Sequence, residues 1–151
     1  MQRPRPGVGT GILIVRDGNI LLGLRNPDAS KADSELHGEG TWTALGGKLE
    51  FGESLLDCAR REVAEECGIR LKDAKLVSVS EEFSGDAHFI TIGMLADGFE
   101  GEPRIMEPDI IEWRWWPLDR LPKNLFIPTK NIIDNWRAGR IHSGELSGKK
   151  K

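Results

Sequence analysis

The sequence predicts an α/β protein, a single domain over residues 1–151 in which helices cover a mixed sheet. Three observations predict it. Apolar runs of strand length and two helical patterns follow one another as strands, helix, strands, helix. A strong two-residue hairpin signal, Asp17-Gly18, joins the first two runs. Each helical pattern also ends at a glycine, Gly68 or Gly139. At 151 residues, with 38% hydrophobic and 30% charged residues, the chain has room for one core and an ordinary soluble composition.

Taken in order, "VGTGILIV" and "NILLGLR" form the arms of the hairpin. Residues 26–40, "NPDASKADSELHGEG", are polar, lack period and carry Gly and Pro, which predicts a long loop. "TWTALGG" leads from it into a helix starting near Leu55, with Ser54 and Asp57 spaced as in a capping box. "KLVSVSEEF" and "HFITIGMLA" read as strands around an "SGDA" turn, and "IIEWRWWPL" as a further strand. "IPTKNIIDNWRAG" is the last helix, with Pro128 in its first turn. Residues 140–151, ending in a short basic run, predict a flexible tail.

The formal net charge of -3 gives no reason to expect a nucleic-acid polymer or a membrane surface as partner. No apolar run reaches the roughly 18 residues of a membrane span. The start, "MQRPRPGVGT", lacks the apolar core of a signal peptide, which predicts a cytoplasmic protein. Cys58 and Cys67 lie on opposite faces of the first helix, about 13 Å apart along its axis, too far for a disulfide. Cys67 falls on the apolar side, as a buried thiol would.

That helix carries "ARREVAEECG", Ala59 to Gly68. On a wheel, Leu55, Leu56, Ala59, Val63 and Cys67 form an apolar stripe between roughly 0° and 120°. Glu65, Glu62 and Glu66 fall at roughly 280°, 340° and 20°, so two of the acids border or intrude on the stripe. Like charges four residues apart beside a core repel, unless a partner offsets them. Clustered carboxylate oxygens are what hard divalent cations such as Mg²⁺ bind. The helix therefore reads as half of a metal–phosphate site.

The wider segment "GGKLEFGESLLDCARREVAEECGI" resembles the Nudix box, G-x5-E-x7-R-E-U-x-E-E-x-G-U with U aliphatic, at every specified position over 23 residues. The strand order around it is similar to the Nudix α/β/α sandwich. The resemblance implies hydrolysis of a diphosphate linkage in a nucleoside diphosphate attached to another group, with Mg²⁺ or Mn²⁺. It assigns Glu62 and Glu66 as metal ligands, Glu65 as a further ligand or a partner of Arg61, and the Gly46 carbonyl as one more ligand. Arg61 would orient the carboxylates, and Glu53 would steady the loop or ligate through water. Gly46 and Gly47 would let backbone approach metal and phosphate, and Lys48 would face phosphate charge. Among later acids, Glu107, Asp109 and Glu112, Glu107 is the preferred extra ligand or general base.

"RPGVGTGILI", "ILLGLR" and "EPDIIEWRWWPLDRLP" look like the MutT-type branch, nucleotide diphosphatases related to human Nudix hydrolase 15. That implies (deoxy)nucleoside triphosphates cleaved to monophosphate and pyrophosphate by a homodimer, with Arg25 at the phosphate end of the pocket. Trp42, Phe89 or a loop residue is a candidate to stack on the base, with core packing the favoured alternative for each, and His37 and His88 are weaker candidates for substrate contact. ADP-ribose or a dinucleoside polyphosphate is the alternative substrate, and a non-cleaving nucleotide sensor the alternative class. An isomerase of isopentenyl diphosphate fits less well, because neither cysteine is well placed for it. Two departures stand out: Leu45 replaces the usual proline of the box approach, and the loop 26–40 is long for the branch.

Overall fold

A computed structural model describes residues 4–32 and 36–143. Its strands and helices are β1 (Gly7–Leu13), β2 (Val15–Arg16), β3 (Asn19–Arg25), β4 (Trp42–Thr43), β5 (Leu45–Lys48), α1 (Leu55–Cys67), β6 (Arg70–Leu71), β7 (Ala74–Ser84), β8 (Ala87–Ala96), β9 (Phe99–Glu100), β10 (Ile110–Pro117) and α2 (Ile127–Ala138). The main sheet runs β5-β1-β8-β7, with β1 parallel to β8 and the other pairs antiparallel. A second sheet runs β10-β3-β2, and β4 joins it on β3. β6 and β9 form a two-stranded pair.

The local signals explain these elements. Asp17 and Gly18 both take positive φ, 53° and 78°, and Arg16 pairs with Asn19 across them. That is the type I′ geometry that suits the twist of the flanking strands. The Ser54 hydroxyl accepts from the Asp57 amide at 3.1 Å, capping α1, and Gly68 ends it at φ 80°. Pro128 sits in the first turn of α2 and Gly139 closes it.

Alternation along β1 divides the core. Ile12 and Ile14 pack with Ala59, Val63 and Cys67 of α1, whereas Leu13 packs with Ile132 and Ile133 of α2. The helices thus cover opposite faces of the sheet, giving an α/β/α sandwich. No helix among the described residues is long and apolar enough to cross a membrane.

Some expectations need correction. Cys58, placed by the wheel away from the stripe, is buried like Cys67. Its thiol lies 3.5 Å from the Thr10 hydroxyl, because β1 and β5 cover that side of α1 as well. The first residues of the tail are held: the Val79 amide donates to the Ile141 carbonyl at 2.8 Å, and His142 lies 2.9 Å from Glu81. Residues 144–151 of the tail lie outside the described residues, as do 33–35 of the loop. Leu45, the replacement for proline, is fully buried opposite Ile12, so packing fixes a strand that ring rigidity would otherwise fix.

Candidate active site

A cavity of about 460 Å³ lies across edge strand β5. Glu62, Glu65 and Glu66 of α1 and the backbone of Gly46, Gly47 and Lys48 line one end. Glu107 and Asp109, which precede β10, join them. Phe89 and Thr91 of β8, with Phe126, Pro128, Thr129 and Ile132 near the start of α2, line another part of the wall.

Arg61 organises the acidic end. Its Nε and Nη2 donate to the two oxygens of Glu53, each at 2.8 Å, in a fork–fork pair. Its Nη1 donates to Glu62 at 2.8 Å and to Glu65 at 3.2 Å, and Nη2 to the Lys48 carbonyl at 3.2 Å. One planar cation thereby spans three carboxylates and the loop between β5 and α1. Glu53 also accepts from the Glu50 amide at 2.9 Å, which steadies that loop. Its pairing with Arg61 holds its pKa down to about 2.

Glu62 and Glu66 experience the opposite. Burial pushes Glu62 up to about 7, against the pull of Arg61. Protein atoms crowd the Glu66 carboxyl, and burial raises it well above the usual carboxylate range. The Gly46 amide, donating to Glu66 at 2.8 Å, opposes that rise, and charges on Glu62, Asp109 and Glu107 add to it. Glu107 is raised as well, by burial and then by Asp109 and Glu65. One buried Asp109 oxygen has no hydrogen-bond partner among the described residues.

These groups fit a divalent cation chemically. The donors are all oxygen, and Glu62, Glu65, Glu66, Glu107 and Asp109 bring more carboxylates to one end of the cavity than Arg61 offsets. As the side chains stand, no three metal-binding groups among the described residues converge on one point. Glu62 is turned to Arg61 and Glu66 to the Gly46 amide. A Cβ on Gly47 would lie 1.5 Å from Glu62 Oε2, so the missing side chain is the space that the carboxylate occupies. Glu62, Glu66, Glu65 and Gly46 are the residues that would hold the ion.

A pH prediction follows for the metal-free protein. An acid whose pKa is raised on folding stabilises fully below its unfolded value, about 4.5, and that contribution is lost as pH rises through the folded value. For Glu62 this spans pH 4.5 to about 7. Glu53, shifted down, contributes fully above pH 4.5, so it does not mask the trend. Thermal melts in EDTA should fall across this window; Glu62→Gln should flatten the fall, and Mg²⁺ should oppose it. Melts that rise from pH 4.5 to 7 in EDTA would contradict the burial of these acids.

Other expected residues have different places. Arg25 reaches the cavity, but its Nε and Nη2 donate to the loop carbonyls of Gly38 and Ala32, at 2.9 and 2.6 Å, and its guanidinium stacks over Phe126. It ties the loop 26–40 to the cavity rim. Lys48 lines the cavity with its ammonium 5.7 Å from the Phe89 ring centre. Trp42 does not line the cavity: it is 7% exposed and packs edge-on against Trp116, since β4 turns it into the α2-side core. His88 stacks on Phe83, outside the cavity. Sequence reasoning missed Thr91, Phe126 and Thr129, which carry no local motif.

A sandwich with an all-oxygen acidic cleft, organised by arginine at the edge of a mixed sheet, has the donor chemistry that suits an enzyme working on phosphate anhydrides. The profile of the NUDIX domain matches residues 5–136, and the chain belongs to the Nudix family. It is a pyrophosphohydrolase. It is 32% identical over 115 residues to an oxidized purine nucleoside triphosphate hydrolase of Danio rerio, covering 75% of this chain and 67% of the relative. It is 33% identical to the NAD-capped RNA hydrolase NudC of Photorhabdus laumondii, but aligns with only 43% of that protein. A MutT Nudix hydrolase structure from Burkholderia pseudomallei superposes with a TM-score of 0.76 at 35% identity, covering 87% of this chain and 98% of the other.

Proposed function

We propose that the protein hydrolyses (deoxy)nucleoside triphosphates to the monophosphate and pyrophosphate, with Mg²⁺ or Mn²⁺ held by Glu62, Glu66 and Glu65. The observation that carries the reading is the half-buried carboxyl pair Glu62–Glu66, both raised in pKa by desolvation, at one end of a cavity that reaches on to apolar and aromatic walls. The similarity to a triphosphate hydrolase over three quarters of the chain supports the substrate class. MutT-type resemblance also supports a homodimer.

When bound, the cation supplies neutralisation of phosphate charge and a water of lowered pKa. The chain's own groups do the rest. Arg61 keeps Glu62 and Glu65 in place through its fork on Glu53. Lys48 offsets charge on the phosphates beside Gly46 and Gly47. Glu107, whose carboxyl is raised above its ordinary range by desolvation and by Asp109, accepts the proton of the attacking water. Arg25 ties Ala32 and Gly38 to the rim of the cavity.

The test is a substrate panel with Mg²⁺: nucleoside triphosphates (oxidised ones included), ADP-ribose, nucleotide sugars and dinucleoside polyphosphates. Pyrophosphate from one or a few triphosphates is the expected result. Preferential cleavage of ADP-ribose or a dinucleoside polyphosphate would overturn the substrate class, and tight binding without turnover would make the protein a sensor.

A further inference from the structure

Glu82 of β7 is only 4% exposed and is not among the residues that line the cavity. Its Oε2 accepts from the Ser80 hydroxyl at 2.5 Å and from Asn131 Nδ2 of α2 at 2.9 Å, and its Oε1 accepts from the Thr91 hydroxyl at 2.6 Å. No ion pair reaches Glu82 among the described residues. Burying a carboxylate satisfied only by neutral donors is costly, and plain core packing gains nothing from it. What the arrangement does is fix hydroxyl protons.

A threonine hydroxyl has one proton and two lone pairs. The Thr91 proton is committed to Glu82, so only acceptor capacity remains toward the cavity that Thr91 lines. The sheet register shows where that acceptor stands. Lys48, Gly9, Thr91 and Ser80 are successive cross-strand partners on β5, β1, β8 and β7. Thr91 is therefore two strands, roughly 10 Å, from Lys48 on the same face. Gly9 between them has no side chain to block the floor.

We infer that Thr91, its proton held by Glu82, is an acceptor-only specificity residue that reads an N–H donor on the edge of the substrate's base. The inference rests on the reading of this cavity as a nucleotide pocket. Glu82 acts through Thr91 and is a positioning residue. A site built to hydrogen-bond a substrate N–H rejects analogues without one, because its own group is left unpaired.

The experiment measures binding by calorimetry, with Mg²⁺, of uncleavable α,β-methylene triphosphates of purine riboside, adenosine, guanosine and inosine. Purine riboside has no N–H on its base. At least one of the others should bind wild-type protein about tenfold or more tightly than purine riboside. Thr91→Val should bring that ratio to within about twofold without weakening purine riboside binding, whereas Thr91→Ser, which keeps the hydroxyl, should retain the ratio. Glu82→Gln adds a donor beside Thr91 and should shrink the ratio; it decides the matter if Thr91→Val does not fold. Equal binding of all four by wild-type protein, binding of none, or a Thr91→Val loss shared by purine riboside would overturn the inference. Hydrolysis of the normal triphosphates is scored separately. Discrimination without turnover would sink the enzymatic reading and leave this one standing.

Discussion

Glu66→Gln folds as the wild type does and loses about a thousandfold in kcat. The amide is isosteric and keeps an oxygen to accept the Gly46 N–H, which is the hydrogen bond that seats residue 66 against β5. It also removes the charge whose burial lifts the native carboxyl well above its ordinary range. The metal-free melting temperature at neutral pH therefore does not fall. What disappears is a negative oxygen at the point where Glu62, Glu107 and Asp109 already crowd charge, and with it the hold on the cation. The paired measurement is a melt with and without Mg²⁺ beside kcat. Loss of the Mg²⁺-induced shift together with loss of turnover is expected; retained turnover with Mg²⁺ would remove Glu66 from the ligand set.

Two neighbouring glycines give the second large effect, and they should separate cleanly. In Gly47→Ala the new methyl lies 1.5 Å from Glu62 Oε2, and its three nearest neighbours all belong to that carboxylate, so the flexible side chain gives way and the fold survives. Glu62 then leaves its position, and kcat/KM falls by about a hundredfold or more. In Gly46→Ala the methyl lies 2.0 Å from the Thr10 carbonyl, and the backbone sits at φ 151°. Neither can shift without breaking the β1–β5 ladder, so this variant loses stability first. Wild-type kinetics in Gly47→Ala would show that the Glu62 position seen here is not the working one.

The acidic end was legible because its chemistry is local. Glu53, Arg61, Glu62, Glu65 and Glu66 belong to one helix and its entry loop, where spacing converts directly into position. The turns and caps at Asp17-Gly18, Ser54, Gly68 and Gly139 were legible for the same reason. The two-residue strands β4, β6 and β9 were not, because pairing partners far along the chain define them. Trp42 shows the cost: its type suggested base stacking, and only the pairing of β4 with β3 reveals that it faces Trp116. Cys58 was misjudged because a wheel sees one covered face, and α1 is covered on its acidic side by β1 and β5 as well. The Ser80–Glu82–Thr91–Asn131 cluster gathers residues from two strands and α2, at separations no motif spans.

The central claim is that the Glu62–Glu66 end of the cavity holds a divalent cation for cleaving a triphosphate between its α- and β-phosphates. The most direct measurement titrates Mg²⁺ against product formation from the best triphosphate of the panel, with EDTA as the zero point. Monophosphate and pyrophosphate in equal amounts, rising from no turnover in EDTA to saturation, is the predicted result. Turnover that persists in EDTA, or release of inorganic phosphate in place of pyrophosphate, would contradict it.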